Sequence, residues 1–365
     1  SSDTVPFQRA KHVITALATG PGDTGLWNSV TIDDDGFPVI AYEANNALYL
    51  AKCDDVACTS ATSMFIENTG VGDLHASVII GTDGLPLIAY KNSITSDFKI
   101  AHCQQVSCET SVKTVVEGTG DVGAYTSIAI GTDGLGVASY YDTTNGNLKV
   151  AHCNNTACTS ADIVLVDGST DVGRYTSLTI GADGFPIISY QDVDNTALKV
   201  AHCLNVACTE ASNPTIDSLG DVGKSTSIVI GKDGRALISY FDVTSNDLKT
   251  AHCSNITCSE STTSAAVTTG GVGDWNSLTI GTDGHAIISY YDSFNGYLEV
   301  AHCNDLTCTS ATSLDVDTSG NVGQHTSITI GSDGLPLVIY HDVISRDLKA
   351  VHCSNSYCLP NVRNS

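Results

Sequence analysis

The sequence predicts an all-β fold, a seven-bladed β-propeller with four antiparallel strands in each blade. Three observations predict it. A period of 50 residues separates the first cysteines of successive repeats, from Cys53 to Cys353. Each period holds short alternating apolar runs divided by turn residues, with no sustained helical period. An Asp-Gly turn recurs seven times, at Asp35, Asp83, Asp133, Asp183, Asp233, Asp283 and Asp333, and counts the blades. A parallel β-solenoid would have shorter coils and no hairpin turns.

One repeat shows the plan. Strand A is expected at 125–130, where Ile128 and Ile130 alternate, and Asp133-Gly134 turns it back. Strand B follows at 135–141, a second turn at 142–147, and strand C at 148–153. A turn at 154–157 leads to strand D at 161–166. A polar, Gly-rich link, Asp-Val-Gly in its commonest form, then enters the next repeat. The stretch Gly120 to Ser127 recurs at Asp171–Ser177, Asp221–Ser227, Gly271–Ser277 and Asn321–Ser327, with looser copies at Val71–Ser77 and Thr24–Ser29.

The ends imply closure. The seventh repeat stops soon after Cys358 without a strand D, while an unassigned apolar strand at 11–18 precedes the first strand A. That N-terminal strand is expected to complete the last blade, which protects edges that would otherwise template aggregation. Residues 1–365 then form a single propeller, with blades at about 19–67, 68–117, 118–167, 168–217, 218–267, 268–317 and 318–365 plus the closing strand 11–18.

The cysteines form seven C-x4-C pairs: Cys53 with Cys58, Cys103 with Cys108, Cys153 with Cys158, Cys203 with Cys208, Cys253 with Cys258, Cys303 with Cys308 and Cys353 with Cys358. One even pair per repeat reads as one local disulfide per blade, formed in an oxidising compartment. Zinc-thiolate sites instead bring two C-x2-C pairs together. A secreted or cell-surface location follows. The start at Ser1-Ser2-Asp3, with no Met and no apolar leader, fits a mature chain whose signal was removed, or a trimmed one.

Asp and Glu number 40 against 16 Lys and Arg, a formal charge of -24. So acidic a surface repels nucleic acid and anionic membrane, so neither is an expected partner. No run reaches the roughly 18 apolar residues of a membrane helix.

The stretch Thr176 to Cys203, TSLTIGADGFPIISYQDVDNTALKVAHC, resembles the repeats of extracellular bacterial propellers loosely grouped with the sialidase-like superfamily. The likeness runs through nearly the whole chain as seven copies. It implies the propeller fold and leaves the activity open, because propellers host many functions. The Ser-x-Asp-x-Gly-x-x-Trp box of true sialidases is absent. So is their arginine cluster: the chain has only Arg9, Arg174, Arg235, Arg346 and Arg363, and Arg174 alone falls near the candidate site.

Strand order places the D-to-A links and B-to-C turns on one face, and the A-to-B and C-to-D turns with the disulfides on the other. Two residues before the recurring Ser of strand A stand Trp27, His75, Tyr125, Tyr175, Ser225, Trp275 and His325. With strand A innermost, these ring the channel mouth. They are candidate ligand contacts, because aromatic faces stack on sugars, with Asn28, Asn276, Thr126 and Thr176 offering hydrogen bonds and Arg174 a charge. The rival reading is that they plug the channel or pack against neighbouring blades. The recurring Ser itself reads as a scaffold group that bonds backbone.

Two further sets recur. Asp142, Asp192, Asp242, Asp292 and Asp342 end strand B, with Ala44 and Asn92 in the first two blades. They are expected to accept amides of the nearby Asp-Val-Gly link or of their own turn, and as a circle of carboxylates they are also the candidate Ca²⁺ ligands or acid and base. No other cofactor is expected. His102, His152, His202, His252, His302 and His352, with Lys52 in the first blade, suit hydrogen bonding within each blade better than a metal or haem. His341 and His325, and Lys91, Asp97 and Lys99, stand out as blade-specific. Two glycosylation sequons, at Asn154 and Asn255, fall in C-to-D turns.

The leading reading is a secreted binding or adhesion propeller that recognises a glycan or other surface ligand through the aromatic ring. Seven similar weak sites gain by avidity. No blade concentrates catalytic groups, so an enzyme is the less favoured reading. The alternatives are a polysaccharide hydrolase or lyase with its site over the channel, and a structural subunit of an extracellular assembly with protein partners.

Overall fold

The structure, a computed structural model, describes residues 12–20, 22–72 and 74–358. Seven antiparallel sheets stand around a common axis, each in the order A-B-C-D. In blade three these are Val122–Ile130, Gly136–Asp142, Asn147–Cys153 and Ala161–Asp167. The A strands touch one another in turn right round the circle, so strand A is innermost. Each blade carries its local disulfide, from Cys53–Cys58 to Cys353–Cys358, and no described cysteine is free.

Blade seven is closed by the N-terminal strand Val13–Ala18. It pairs antiparallel with strand C, Asp347–His352, and supplies the missing strand D. Lys11, the first residue of the expected strand, lies outside the described residues.

Strand B reads as a continuous apolar run because both of its faces are covered. Pro186–Asp192 is buried at every position. Blades pack face against face, so each cluster of core residues spans two blades; Val137, Leu148 and Val150 of blade three meet Leu178, Ile188 and Tyr190 of blade four. A buried Tyr stands at the same place in all seven strands B, from Tyr42 to Tyr340. In blade four, strand D is split into Ala211–Ser212 and Thr215–Asp217. Pro214 lies in the break, where it has no N–H to give the ladder.

The recurring Ser of strand A ties the ring together. In every blade its hydroxyl accepts the backbone N–H of the next blade's strand A: Ile128 N to Ser77, Leu178 N to Ser127, and so on round to Val30 N and Ser327, at 2.9–3.2 Å. This is the scaffold role its recurrence implies.

Strand A starts three residues before the expected Tyr125. The reason is a bulge: the pairing with strand B shifts register between Ala124 and Ser127. The Gly of the link is what allows the approach, since a Cβ on Gly173 would sit 2.8 Å from the Leu148 Cα of the preceding blade.

Candidate functional site

The bulge sets the geometry of the channel mouth. Trp27, His75, Tyr125, Tyr175, Ser225, Trp275 and His325 all have φ between 43° and 55°. Bulky residues rarely adopt this left-handed conformation, which costs on the order of 1 kcal/mol or more at each position. An extra residue in the strand re-aims its side chain, here toward the axis.

Six aromatic rings consequently form one unbroken belt. Tyr175 meets Tyr125 at 4.5 Å between centroids, Tyr125 meets His75 at 4.2 Å, and His75 meets Trp27 at 3.9 Å. Trp27 meets His325 at 4.3 Å, and His325 meets Trp275 at 4.8 Å. The belt opens only at Ser225, whose hydroxyl bonds Asp274 at 2.8 Å and accepts the Trp275 N–H. A cavity of about 190 Å³ is lined by the seven ring residues and by the residue that follows each.

Those following residues are mostly engaged in holding the belt. Asn28 donates to the His325 carbonyl, Asn276 to the Ser225 carbonyl at 2.6 Å, and Thr326 to the Trp275 carbonyl at 3.1 Å. Thr126 bonds the His75 carbonyl in the same way. Each fixes the left-handed residue of the preceding blade. The amide nitrogens of Asn28 and Asn276 are thus occupied by backbone, while Asn28 Oδ1 is buried without a partner. His325 also keeps its Nδ1 buried and unpartnered; burial and then its neighbour His341 pull its pKa down to about 3. It is a neutral imidazole at any physiological pH. Burial also lowers His341, whose Nδ1 lies 2.9 Å from the Thr24 carbonyl.

Arg174 stands beside the belt. Its guanidinium bonds Asp171 at 3.1 Å and lies 5.5 Å from the Tyr141 ring, as a cation over an aromatic face. Arg9 and Arg363 lie outside the described residues.

Strand B adds a second varying position, of which only Lys91 and His341 stood out in the sequence. Directly after the buried Tyr come Glu43, Lys91, Tyr141, Gln191, Phe241, Tyr291 and His341. Four of them reach the link residue of the next blade: Lys91 to Asp121 at 2.6 Å, Tyr141 to Asp171 at 2.6 Å, Gln191 to Asp221 at 3.2 Å and Tyr291 to Asn321 at 2.6 Å. The signal was present in the seven aligned repeats as one variable column beside an invariant Tyr. Between blades seven and one, Asp23, Glu43 and Arg346 line an adjoining cavity of about 480 Å³ that shares Trp27 and His325 with the channel mouth, so Arg174 is not the lone arginine near the belt.

The strand-end acids behave as turn caps. Asp142 accepts the Asn145 N–H, Asp192 that of Asn195, Asp242 those of Thr244 and Ser245, Asp292 those of Phe294 and Asn295, and Asp342 those of Ile344 and Ser345. Lys149 and Lys349 add ion pairs to Asp142 and Asp342 at 2.8 and 2.7 Å. Each carboxylate serves its own blade. The strand-C histidines do likewise on the opposite face: each Nε2 lies 2.8–2.9 Å from the Asp of its own A-to-B turn. In blade one Lys52 takes the place of His and bonds Asp33 at 2.6 Å, with Asp35 at 3.9 Å, so Asp33 rather than Asp35 is the partner there. Lys99 is not blade-specific: Lys149, Lys199 and Lys249 make the same contact to the preceding blade that Lys99 makes to Glu67.

The belt's face also carries the most exposed large apolar side chains described. Val71, Ile94, Leu219, Phe294 and Ile344, each 65% exposed or more, all lie in its links and B-to-C turns.

The architecture defines the class: an all-β, seven-bladed propeller with a disulfide in every blade. No protein-family profile matches the chain, and no curated protein matches it in sequence. Solved structures do match in shape. Hydrazine synthase from Kuenenia stuttgartiensis is 10% identical at a TM-score of 0.61, over 92% of this chain and 97% of that one. A protein of unknown function from Dyadobacter fermentans is 10% identical at 0.60, over 94% and 98%. An ulvan lyase bound to -[GlcA(1-4)Rha3S]- is 10% identical at 0.59, over 94% and 95%. At this identity the likeness establishes the fold alone. No described helix is long and apolar enough to cross a membrane.

Proposed function

We propose that this is a secreted binding propeller that recognises a glycan, or another ligand on a cell surface, through the belt at its channel mouth. The observation that carries the reading is the belt itself, six touching aromatic rings on six of the seven left-handed residues. A channel plug needs apolar volume. It does not need bulky residues in a conformation that glycine adopts freely, and strain of this kind clusters at ligand sites. Flat aromatic faces suit the apolar faces of sugar rings, and Ser225 leaves one opening in the belt. A lyase of similar fold is known with a saccharide bound, which is consistent with a glycan ligand. Seven disulfides suit an oxidising extracellular setting, as would kinship with sialidase-like extracellular propellers.

Glycan-array binding by the intact chain and by Trp27→Ala and Trp275→Ala variants tests this. Both variants should remain folded, with a lowered melting midpoint because each loses its ring contacts, and should lose the signal. Undiminished binding by both would place the ligand elsewhere.

A second reading, a polysaccharide-active enzyme, is favoured by one place only. The cavity between blades seven and one brings neutral His325, Glu43, Asp23 and Arg346 together. Turnover of a polysaccharide that His325→Gln abolishes, with binding retained, would select it.

A further inference from the structure

The geometry points to a zinc-type metal site on the face opposite the aromatic belt, formed in blade six alone by Asp283, His285 and His302. Every blade from two to seven pairs the strand-C His with the Asp of its A-to-B turn. Blade six adds a second imidazole. Two residues after the turn Asp, the other blades carry Phe37, Leu85, Leu135, Phe185, Arg235 and Leu335, whereas blade six has His285.

The three side chains converge. His302 Nε2 lies 2.9 Å from Asp283 Oδ2, His285 Nδ1 lies 3.8 Å from the same oxygen, and all the ligand atoms fall within 4.8 Å of one another. Zinc bonds of about 2.0–2.2 Å in a tetrahedron put neighbouring ligand atoms ~3.3 Å apart. The observed separations bracket that spacing, so small side-chain rotations suffice. The other carboxylate oxygen is held in place, since Asp283 Oδ1 accepts the His285 backbone N–H at 3.0 Å. Such outer support of a ligating carboxylate is a regular feature of metal sites.

Two imidazoles and one carboxylate favour zinc and its neighbours over calcium or magnesium, which prefer all-oxygen sets. The site opens to solvent on one side: the side chains of Asp283 and His285 are 24% and 31% exposed, while His302 is 7% exposed. Three protein ligands and an open position leave room for water or an exogenous group. The chain's charge of -24 raises the local cation concentration.

The test is equilibrium dialysis of the intact chain against Zn²⁺ in excess Mg²⁺, which occupies weak carboxylate sites. Wild type should retain one equivalent. His285→Leu, which installs the residue three other blades carry, should lose it and remain folded, and His302→Gln should lose it too. His252→Gln, which breaks the same His–Asp pair in blade five, should retain it. Co²⁺ substitution should give the intense visible bands of a tetrahedral ion in wild type and not in His285→Leu. No retained zinc in wild type, or an undiminished equivalent in His285→Leu, would overturn the assignment.

Discussion

The carboxylate of Glu299 accepts the Tyr290 hydroxyl at 2.5 Å in the place where five other blades present a lysine. In those blades the buried Tyr donates to an acid on strand D of the preceding blade, and the lysine pairs with the same acid; Tyr190, Asp167 and Lys199 are typical, at 2.7 and 2.6 Å. Burial raises the Asp167 pKa, but bonds from Lys199, Ser169 and Tyr190 more than offset it, so the net shift is downward. Between blades five and six the partners are exchanged. Val267 occupies the acid's position and the acid has moved to Glu299. No lysine is present there, and Asp315 stands opposite Glu299 on the neighbouring strand, with Asp292 nearby.

Glu299 should therefore make this blade junction pH-sensitive. Burial, with Asp292 and Asp315 adding to it against the Tyr290 hydrogen bond, raises its pKa from 4.5 to about 7. The native state binds the proton more tightly, so its stabilising contribution is full below about pH 4.5 and is lost as pH rises toward 7. The loss is on the order of 3 kcal/mol. His325 and His341, with lowered pKa values, act in the opposite sense: their contribution is present above about 6.5 and lost as pH falls. The comparison must therefore be between variants. Denaturant unfolding of Glu299→Gln and wild type should diverge in the variant's favour between pH 5 and pH 8. An equal difference at both pH values would refute the shift.

Rebuilding the usual triad should stabilise the same junction. Val267→Asp alone sets a buried carboxylate beside Glu299 and should cost several kcal/mol. Val267→Asp combined with Glu299→Lys restores the arrangement of blades two to five. A double-mutant cycle on unfolding free energies should show a favourable coupling above about 1 kcal/mol. Additive effects would mean that the two positions do not communicate.

The inter-blade serines yield a separate expectation. Ser127→Ala removes the acceptor of the Leu178 N–H and leaves that donor in a partly buried position. The cost should be about 1–2 kcal/mol, without effect on ligand binding. Urea midpoints of single alanine variants around the ring would check it, and a change within error at three positions would dismiss the scaffold role.

Much of this architecture was legible in the sequence because the period is strict. Cysteine spacing, Asp-Gly turns and the missing last strand D gave blade count, disulfides and closure, since each is a local pattern repeated. The bulge at Ala124–Ser127 was not legible. A period-2 pattern records which side a residue faces and carries no trace of the φ that turns Tyr125 toward the axis. Contacts between blades were hidden for another reason. Tyr141 and Asp171, 30 residues apart, or Tyr190 and Asp167, 23 apart, are brought together only by the ring. Asn28 and Asn276 carried a hydrogen-bonding signal, yet their amides serve the preceding blade's backbone.

Closure by the N-terminal strand predicts an outsized truncation effect. Removing residues 1–18 would strip the partner from strand C of blade seven and uncover Leu17's packing site in the core between blades seven and one. The thermal midpoint should fall much further than on deletion of residues 213–214, which interrupt strand D of blade four without closing anything. A truncated chain that melted like the intact one would show that the Ser327–Val30 contact closes the ring unaided.

The left-handed belt leads to the sharpest test. At an ordinary strand position, alanine is more stable than glycine. At Tyr125, with φ 55°, the order should invert, because alanine keeps the steric cost of that conformation and glycine does not. Tyr125→Gly should exceed Tyr125→Ala in stability by about 1 kcal/mol, although both lose the ring contacts to His75 and Tyr175. Both should also lose affinity for a ligand that stacks on the belt. Stability and binding would then separate at one residue, as expected where strain is kept for function. If alanine proved the more stable, the backbone at the channel mouth would not be left-handed, and the case for a built ligand platform would fall with it.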